Sequence, residues 1–420
     1  MMLKQNFQVF CSFLLQRSHA HKFFRLISLL VLLVETSPSF ALRKQLDRFL
    51  IGVVVPLSGR ASPLGKEVKL ASELALKDFR RTNKRAGSHI RLIFSDDKGT
   101  EKGALEAAEG LKAKRAHLLI GSVFAALSQK LLDFSRQKNM PLIIPHPWRK
   151  GFKPSEKLAF SSVYPDHWEG FVLGKFAVES LKSQKTAIFI NPTDRKAHDF
   201  AESFRRAQKL YHKKERAPAV LNLLYSDELL SFDELLLRAQ ADGVDTLLLS
   251  SFELEEAARL MEAYRRLGLK LPLLGPSVWR DPKLKELVPS SYGSHYYVNS
   301  FSAEAQLPSR VKNFIDEFEK KMKRRPGLLA AMAYDALQLA AHAFSKEGHT
   351  RRLAYHLSEL VNVKGLMGPM HMGRKRARKS ALILKTAQGL QERERVSSLV
   401  EFSKKDWQSK LGQKNRFRRR

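Results

Sequence analysis

The chain has 420 residues, of which 44% are hydrophobic, so it can form two globular domains and is not intrinsically disordered. Lysine and arginine number 74 against 42 aspartate and glutamate residues, and the formal net charge of +32 favours acidic partners. The only cysteine, Cys11, lies in the N-terminal leader, so disulfides and cysteine-ligated metals are excluded from the mature chain.

The first 41 residues are predicted to be a signal peptide. Lys22 and Arg25 precede an apolar segment at 26–34, and small residues flank a cleavage site after about Ala41. This segment is much shorter than the roughly 20 residues needed to span a bilayer. We therefore expect a cleaved, periplasmic protein, with an uncleaved anchor as the alternative.

A strand, a turn and an amphipathic helix follow one another directly after this leader. Ile51–Val55 is an apolar strand, Pro56 ends it, and Ser58-Gly59 opens a loop before a helix near 66–81. In an open parallel sheet, such a loop lies at the carboxyl ends of the strands, where ligands usually bind.

Short apolar strands then alternate with helices in both halves of the chain. Strands are predicted at 51–55, 90–94, 117–120, 142–144, 186–190, 220–224, 246–249, 273–274 and 296–298. Strands separated by helices require parallel crossovers, so the predicted fold class is α/β, with two doubly wound, Rossmann-like lobes. Helices at 308–323 and 328–344 and a last strand at 381–385 complete the pattern.

Eight segments in a fixed order resemble the type I periplasmic-binding superfamily, and in particular the leucine/isoleucine/valine-binding proteins of branched-chain amino acid importers. They are VPLSGRASPLG at 55–65, IRLIFSDDKG at 90–99, LLIGS at 118–122, MPLIIPHP at 140–147, AIFINPTD at 187–194, LLGPSVWRDP at 273–282, LLAAMAYDALQLA at 328–340 and VKGLMGPMHM at 363–372. The resemblance runs from about residue 51 to residue 401.

This resemblance implies two lobes joined by a hinge, with a ligand cleft between them. The implied first lobe comprises 49–163 plus 301–362, the second 164–300 plus 363–402, and a basic tail occupies 403–420. The implied function is capture of a small solute for the membrane permease of an ABC importer, with no catalysis and no cofactor.

Two stretches of the sequence also resemble penicillin-binding protein activators, which share the bilobed fold. They are LLGPSVWRDP and RRPGLLAAMAYDA. The alternative function that this implies is regulation of peptidoglycan synthesis in the envelope, with a cell-wall synthase as partner. The chain lacks the lipid-attachment cysteine of familiar activators, which leaves this alternative second.

Residues that follow strand ends form the candidate ligand site, by position in the family's pattern. They are Ser58, Arg60, Leu64, Ser122, Phe124, Ala125, His146, Trp148, Lys196, Phe252, Ser277 and Trp279. Several of them differ from the amino-acid binders.

These differences bear on the choice of ligand. Phe124-Ala125-Ala126 replaces a run of hydroxyl residues, Trp148 replaces a threonine, Lys196 a tyrosine, and Ser277 the acid that meets the ligand's ammonium. A buried charge without a partner costs several kcal/mol. The sequence therefore predicts an aromatic or acidic solute in place of leucine, isoleucine or valine, or else a filled, inert cleft.

Three aromatic side chains each have two interpretations. Trp148 and Trp279 are either a stacking pair for a flat ligand or packing residues within the lobes. His146 either contacts the ligand or caps a turn. The sequence alone leaves these alternatives open.

Other functional classes lack the motifs that they require. No serine has a nucleophile-elbow sequence, the loop at 59–65 lacks a lysine-serine ending, and the histidines lack metal-site spacing. Nucleic acid is not expected as a partner, because no binding module is recognisable. The basic terminus is interpreted as an electrostatic hold on an anionic envelope surface, through Arg416, Arg418, Arg419 and Arg420.

Overall fold

The computed structural model describes residues 46–146, 152, 156–212, 218–226, 231–288, 295–299, 308–366, 368–373, 376–379, 381–385 and 395–400. Within these ranges the chain forms two β-sheets, each packed against helices. Trp148 and the four arginines of the basic terminus lie outside the described residues, and so does the leader.

The first lobe is built from two separate stretches of chain. Its first stretch contains β1 (Phe49–Val55), α1 (Ser62–Thr82), α2 (Lys84–His89), β2 (Ile90–Asp96), α3 (Glu101–Ala113), β3 (Leu118–Gly121), α4 (Ala125–Lys138), β4 (Leu142–Ile144) and β5 (Ala159–Ser161).

The second lobe begins directly after β5. It contains α5 (Asp166–Glu179), β6 (Lys185–Ile190), α6 (Arg195–Tyr211), β7 (Ala219–Leu224), α7 (Phe232–Ala241), β8 (Thr246–Leu249), α8 (Leu254–Arg266), β9 (Leu273–Gly275), a 3₁₀ turn (Ser277–Arg280), α9 (Pro282–Leu287) and β10 (His295–Asn299).

The chain then returns to the first lobe before it ends in the second. The returning elements are α10 (Ser309–Met322), α11 (Leu328–Glu347), α12 (Leu353–Ser358), β11 (Val363–Gly365), β12 (Gly368–Gly373) and β13 (Arg376–Lys379), and the last two strands are β14 (Ala381–Lys385) and β15 (Arg395–Val400).

Each sheet contains five parallel strands, which confirms the predicted α/β class with two doubly wound lobes. The strand order is β11-β12-β13-β5-β4-β3-β1-β2 in the first sheet and β15-β14-β10-β9-β8-β6-β7 in the second. The parallel strands are β1 to β5 and β6 to β10.

The strands between residues 363 and 379 pair in the first sheet, which corrects the predicted start of the second lobe's last segment at residue 363. β11 and β12 form an antiparallel hairpin, and β13 pairs with β12 and meets β5 at Arg376 and Ser161. Of the predicted range 363–402, β14 and β15 pair in the second sheet. The local sequence could not reveal this, because the partner β5 lies more than 200 residues upstream.

Three stretches of chain connect the two sheets. The first runs from β5 to α5, the second from β10 to α10, and the third from β13 to β14. The third is the shortest, since β13 ends at Lys379 and β14 begins at Ala381.

The core of the first lobe is centred on α11, whose residues from Ala330 to Ala341 are all buried. Its apolar side chains pack against the buried stripe of α1. The buried Glu67 of α1 accepts hydrogen bonds from the backbone N–H groups of Gly327 and Ala330 and pairs with Arg324 at 2.6 Å. This carboxylate therefore satisfies two of the amide donors that a helix start leaves unpaired.

Candidate functional site

Both sheets contain a topological switch point. β1 lies between β2 and β3, and β6 lies between β7 and β8. Connections leave a sheet toward opposite faces at such a point, and the loops on either side border a crevice where ligands bind. The loops after β1 and β3 border this crevice in the first lobe, and the loops after β6 and β8 border it in the second.

The loop after β1 is held by the carboxylate of Asp96. Asp96 Oδ1 accepts hydrogen bonds from the backbone N–H groups of Leu57 at 2.7 Å, Ser58 at 3.3 Å and Lys98 at 2.9 Å. Burial acts to raise the pKa of Asp96, but hydrogen bonds from the Ser58 side chain and these N–H groups lower it to about 2. The predicted site side chains Ser58 and Arg60 in this loop, and Leu64 in the first turn of α1, are exposed.

The loop after β3 rests on a chain of buried polar side chains. Ser122 Oγ donates to Asp97 Oδ2 at 2.8 Å, Ser122 N donates to Ser128 Oγ at 3.1 Å, and Ser128 Oγ lies 2.8 Å from His146 Nε2. Asp97, Ser122 and Ser128 are fully buried. Burial raises the pKa of Asp97, because its charged form loses hydration there.

Through these hydrogen bonds, two predicted site residues, Ser122 and His146, have their contacts inside the lobe. The Ser122 hydroxyl is directed at Asp97, and the buried His146 ring contacts Ser128 of α4, the helix that precedes β4. These contacts support the structural interpretation of His146 over a contact with the ligand.

The predicted residues Phe124 and Ala125 stand at the start of α4. Phe124 is half-buried and precedes the helix without a side-chain cap, and Ala125 and Ala126 are exposed in its first turn. Trp148 lies outside the described residues, so its predicted stacking with Trp279 stays a prediction.

In the second lobe, Lys196 and Phe252 occupy contrasting environments. Lys196 is exposed in the first turn of α6, and its backbone N–H donates to Asp194, which caps the helix. Phe252 is buried and packs edge-to-face against Phe200, with ring centroids 5.5 Å apart. Only Lys196 of the two is accessible in the structure.

Ser277 contacts a carboxylate that sequence reasoning missed. Glu169, a buried residue in the first turn of α5, accepts from Ser277 N through Oε2 and from Ser277 Oγ through Oε1, each at 2.7 Å. An acid is therefore present beside the position where the amino-acid binders' pattern places one. The only signal in the sequence was that Asp166 and Glu169 are both acidic residues in the first turn of a helix.

Trp279 has the contacts of a packing residue. It is 4% exposed, its ring lies edge-to-face with His295 at 5.6 Å, and it covers Gly275 at the end of β9. A Cβ built on Gly275 would lie 2.2 Å from the indole ring, so only glycine permits this approach.

A second carboxylate, Glu256, lies in the helix that follows β8 and accepts hydrogen bonds from residues that follow β6 and β7. It lies in the first turn of α8, where Oε1 accepts from Asn191 Nδ2 at 3.2 Å and Oε2 accepts from the Tyr225 hydroxyl at 2.5 Å. Burial and the neighbouring Glu256 raise the pKa of Tyr225 far above its ordinary value, so the phenol remains a donor. Sequence reasoning missed Glu256 because its partners lie 65 and 31 residues away.

Two kinds of feature are absent from the described part of the chain. There, no group of three or more His, Cys, Asp or Glu side chains could hold a metal ion. Among the same residues, no helix combines the length and apolar character needed to cross a membrane.

Comparison with known proteins gives consistent matches. A family model described as periplasmic binding protein matches residues 50–383. The chain is 20% identical over 303 residues to the leucine-, isoleucine-, valine-, threonine-, and alanine-binding protein of Pseudomonas aeruginosa, which covers 72% of this chain and 79% of that protein.

Solved structures resemble the chain in fold. An ABC transporter substrate-binding protein from Desulfitobacterium hafniense in complex with Leu has a TM-score of 0.58 and 19% identity, over 83% of this chain and 99% of that one. A solute-binding protein from R. palustris in complex with benzoate has a TM-score of 0.50 and 16% identity, over 84% of this chain and 97% of that one.

Proposed function

Because the chain belongs to the periplasmic binding protein family, we propose that it is an exported, non-enzymatic protein that captures a small solute between its two lobes and delivers it to the permease of an ABC importer. The observation that carries this proposal is the pair of switch-point crevices, one in each lobe, on a chain that matches the family model across both.

The proposed solute is amino acid-like, or an aromatic or acidic molecule. Arg60 and Lys196 are exposed at the switch-point loops of the two lobes, and either guanidinium or ammonium can pair with a carboxylate. The half-buried Phe124 adds an apolar surface beside them. Among structures of the same fold, one holds Leu and another holds benzoate.

Thermal unfolding of the mature chain, residues 42–420, tests solute binding. A ligand at 100 times its dissociation constant should raise the free energy of unfolding by roughly 2.7 kcal/mol. The panel consists of the 20 protein amino acids, benzoate and hydroxybenzoates, short dicarboxylates and nucleobases. If no member stabilises the protein, the proposal is wrong.

The net charge of +32 dictates the control for this screen. Any anion added at high concentration reduces the repulsion between the many cations, whether or not it occupies the cleft. Each acid is therefore compared with sodium chloride at equal ionic strength, and only stabilisation beyond that of the salt counts as binding.

A second candidate function, regulation of peptidoglycan synthesis, is favoured by one specific observation. Ser122, Ser277 and Trp279 have contacts inside the protein, as is expected of a cleft that no longer grips a solute. Under this alternative the mature protein co-purifies with a cell-wall synthase and no solute stabilises it. Stabilisation by a solute together with retention on a permease would contradict it.

A further inference from the structure

The amino edge of the first sheet lies at the opposite end of the strands from the crevice loops. Strands β1 to β4 begin at this edge, and the helices that connect them end there, because each crossover helix returns the chain antiparallel to the strands. The C-terminal end of α11 is fixed at the same edge, where Asp47 N donates to Gly348 O at 2.9 Å and the rings of Phe49 and Phe344 stack. This edge therefore gathers residues from distant parts of the chain.

A set of exposed cations at this edge is named the basic edge. Its members are Arg48, Lys84, Arg91, Arg115, Arg351 and Arg352. β1 pairs with β2 on one side and with β3 on the other, so Arg48, Arg91 and Arg115 lie at or just before the starts of three adjacent strands. Strands lie about 4.8 Å apart. The spacing across three strands is thus close to the Debye length of about 8 Å at physiological ionic strength, and the charges act on a partner together.

The helix dipole does not explain the basic edge. It accounts for cations in the last turns of helices, such as Arg81 in α1 and Lys112 in α3. Lys84, however, lies in the first turn of α2, and Arg352 is the N-cap of α12, where the dipole disfavours a cation. Arg91 lies in a strand, β2.

The charges of the basic edge are not matched by carboxylates. None of its members forms an ion pair in the part of the chain that the structure describes, and two carboxylates at this edge have other partners. Asp47 lies 3.4 Å from His349, and Asp78 lies 3.1 Å from Arg81. Burial, and after it the nearby charge of Arg91, lowers the pKa of Arg80, as expected of an excess of positive charge.

The carboxyl edge of the same lobe contains matched charges. Lys98 and Lys102 lie 3.6 Å and 3.9 Å from Glu106, and Lys130 pairs with Glu101 at 3.1 Å. The lobe thus carries ion-paired cations at one end of its strands and cations without ion pairs at the other.

We propose that the basic edge docks the protein on a membrane surface that carries acidic phospholipids. Cations that are spread over several elements suit a surface of many phosphate headgroups better than a single small anion, which needs convergent donors. This inference goes beyond the proposed function, from which it takes only the export of the protein. Docking through the amino edge leaves the crevice loops of this lobe, at the other end of the strands, directed away from the bilayer.

Co-sedimentation of the mature chain, residues 42–420, with lipid vesicles tests the inference. Vesicles made from equal parts of phosphatidylglycerol and phosphatidylcholine should bind the protein, and vesicles of phosphatidylcholine alone should not. Added sodium chloride should release the bound protein, because salt screens the attraction.

The decisive variant reverses charges of the basic edge in one chain, Lys84→Glu, Arg115→Glu and Arg351→Glu. Its matched control reverses as many exposed cations of the second lobe, Lys209→Glu, Arg238→Glu and Lys270→Glu. Both variants change the net charge equally. Each cation near an anionic surface strengthens binding about fivefold, so we expect the dissociation constant to rise at least about tenfold in the first variant and less than about threefold in the control.

Thermal unfolding without lipid shows whether both variants fold. If the first variant melts below the control, the glutamine substitutions at the same positions replace it, and removal of the charges alone should raise the dissociation constant at least about fivefold.

Three results would overturn the inference. The first is equal weakening in the two variants, which would show that net charge alone binds the vesicles, and the second is failure of the wild type to bind the acidic vesicles. The third is tighter binding to soluble polyglutamate than to vesicles of equal charge concentration, lost in the first variant, which would assign the basic edge to a soluble polyanion. None of these results bears on solute binding.

Discussion

At the carboxyl edge of the first sheet, buried polar side chains contact one another, whereas at that of the second sheet two carboxylates reach from helices to the strand ends. Asp97, Ser122 and Ser128 are fully enclosed and hold the β3 loop in place. Glu169 and Glu256 bridge separate elements instead, and Glu256 is only half-buried. The first edge is thus the more rigid, enclosed one, while the second is held by contacts between separate elements.

Asp97→Ala should give the largest loss of stability, because it breaks the enclosed network of the first lobe. Asp97 accepts hydrogen bonds from the Ser122 hydroxyl and from the Gly99 N–H, each at 2.8 Å, and both donors would lose their acceptor. We expect the free energy of unfolding to fall by about 3 kcal/mol in urea titrations. The exposed Asp199→Ala is the control, and a loss below about 1 kcal/mol would show that the network is not a stabilising unit.

Gly275→Ala should destabilise the second lobe by about 2 kcal/mol, because the added methyl group meets the Trp279 ring. Gly110→Ala in α3 is the matched control, since a Cβ there contacts nothing within 4 Å. That substitution should stabilise the protein by about 0.8 kcal/mol through helix propensity. Opposite signs in thermal unfolding are expected, and a stabilising Gly275→Ala would disprove the tight packing of Trp279.

Glu169→Gln should cost about 1.5 kcal/mol, because two charge-assisted hydrogen bonds to Ser277 become weaker ones. Glu179→Gln, at the exposed end of the same helix, serves as control. Urea titration compares the losses in the free energy of unfolding at the two sheet edges. We expect the loss in Glu169→Gln to be smaller than that in Asp97→Ala. A larger loss would reverse the assignment of rigidity to the first lobe.

The smallest expected effect is a pH dependence that arises from Asp96. Its folded-state pKa of about 2 lies below the ordinary aspartate value of 3.8, so its hydrogen bonds stabilise the fold above pH 3.8 and the stabilisation is lost as pH falls toward 2. Solvent screening of this partly exposed group reduces the contribution to about 1 kcal/mol. In Asp96→Asn, stability should fall less steeply between pH 4 and pH 2, as measured by urea titration, and an unchanged slope would contradict this.

Asp97 should act in the opposite direction to its neighbour. Burial raises its pKa, so the folded state binds its proton more readily than the unfolded state, and stability falls as pH rises from 3.8 to the raised value. The two adjacent carboxyls thus partly offset each other in the wild type.

The local pattern of the sequence was sufficient to predict the architecture. Apolar runs such as Ile51–Val55 specify buried strands, and the helical stretches between them require parallel crossovers. The strands that escaped prediction, β5, β11, β12, β13 and β15, lack an uninterrupted apolar run such as that of β4, which is also only three residues long. The allotment of 363–379 to the wrong sheet has a different cause, since sheet membership depends on distant partners.

The candidate site was less predictable, because its contacts join distant residues. Ser277 and Glu169 are 108 positions apart, and nothing near either residue indicates the pairing. Trp279 illustrates a second difficulty. An aromatic residue after a strand has the same local sequence whether it stacks on a ligand or covers a glycine, and only the approach to Gly275 decides between them.

A single residue, Ser380, separates the last strand of the first sheet from the next strand, in the second sheet. Each residue contributes only two freely rotating backbone dihedrals, so this passage can absorb relative motion of the sheets only by twisting about very few bonds. The connections from β5 to α5 and from β10 to α10 contain more residues. The pivot for any rotation between the lobes should therefore run close to this strand-to-strand passage, and a proline there should stiffen it.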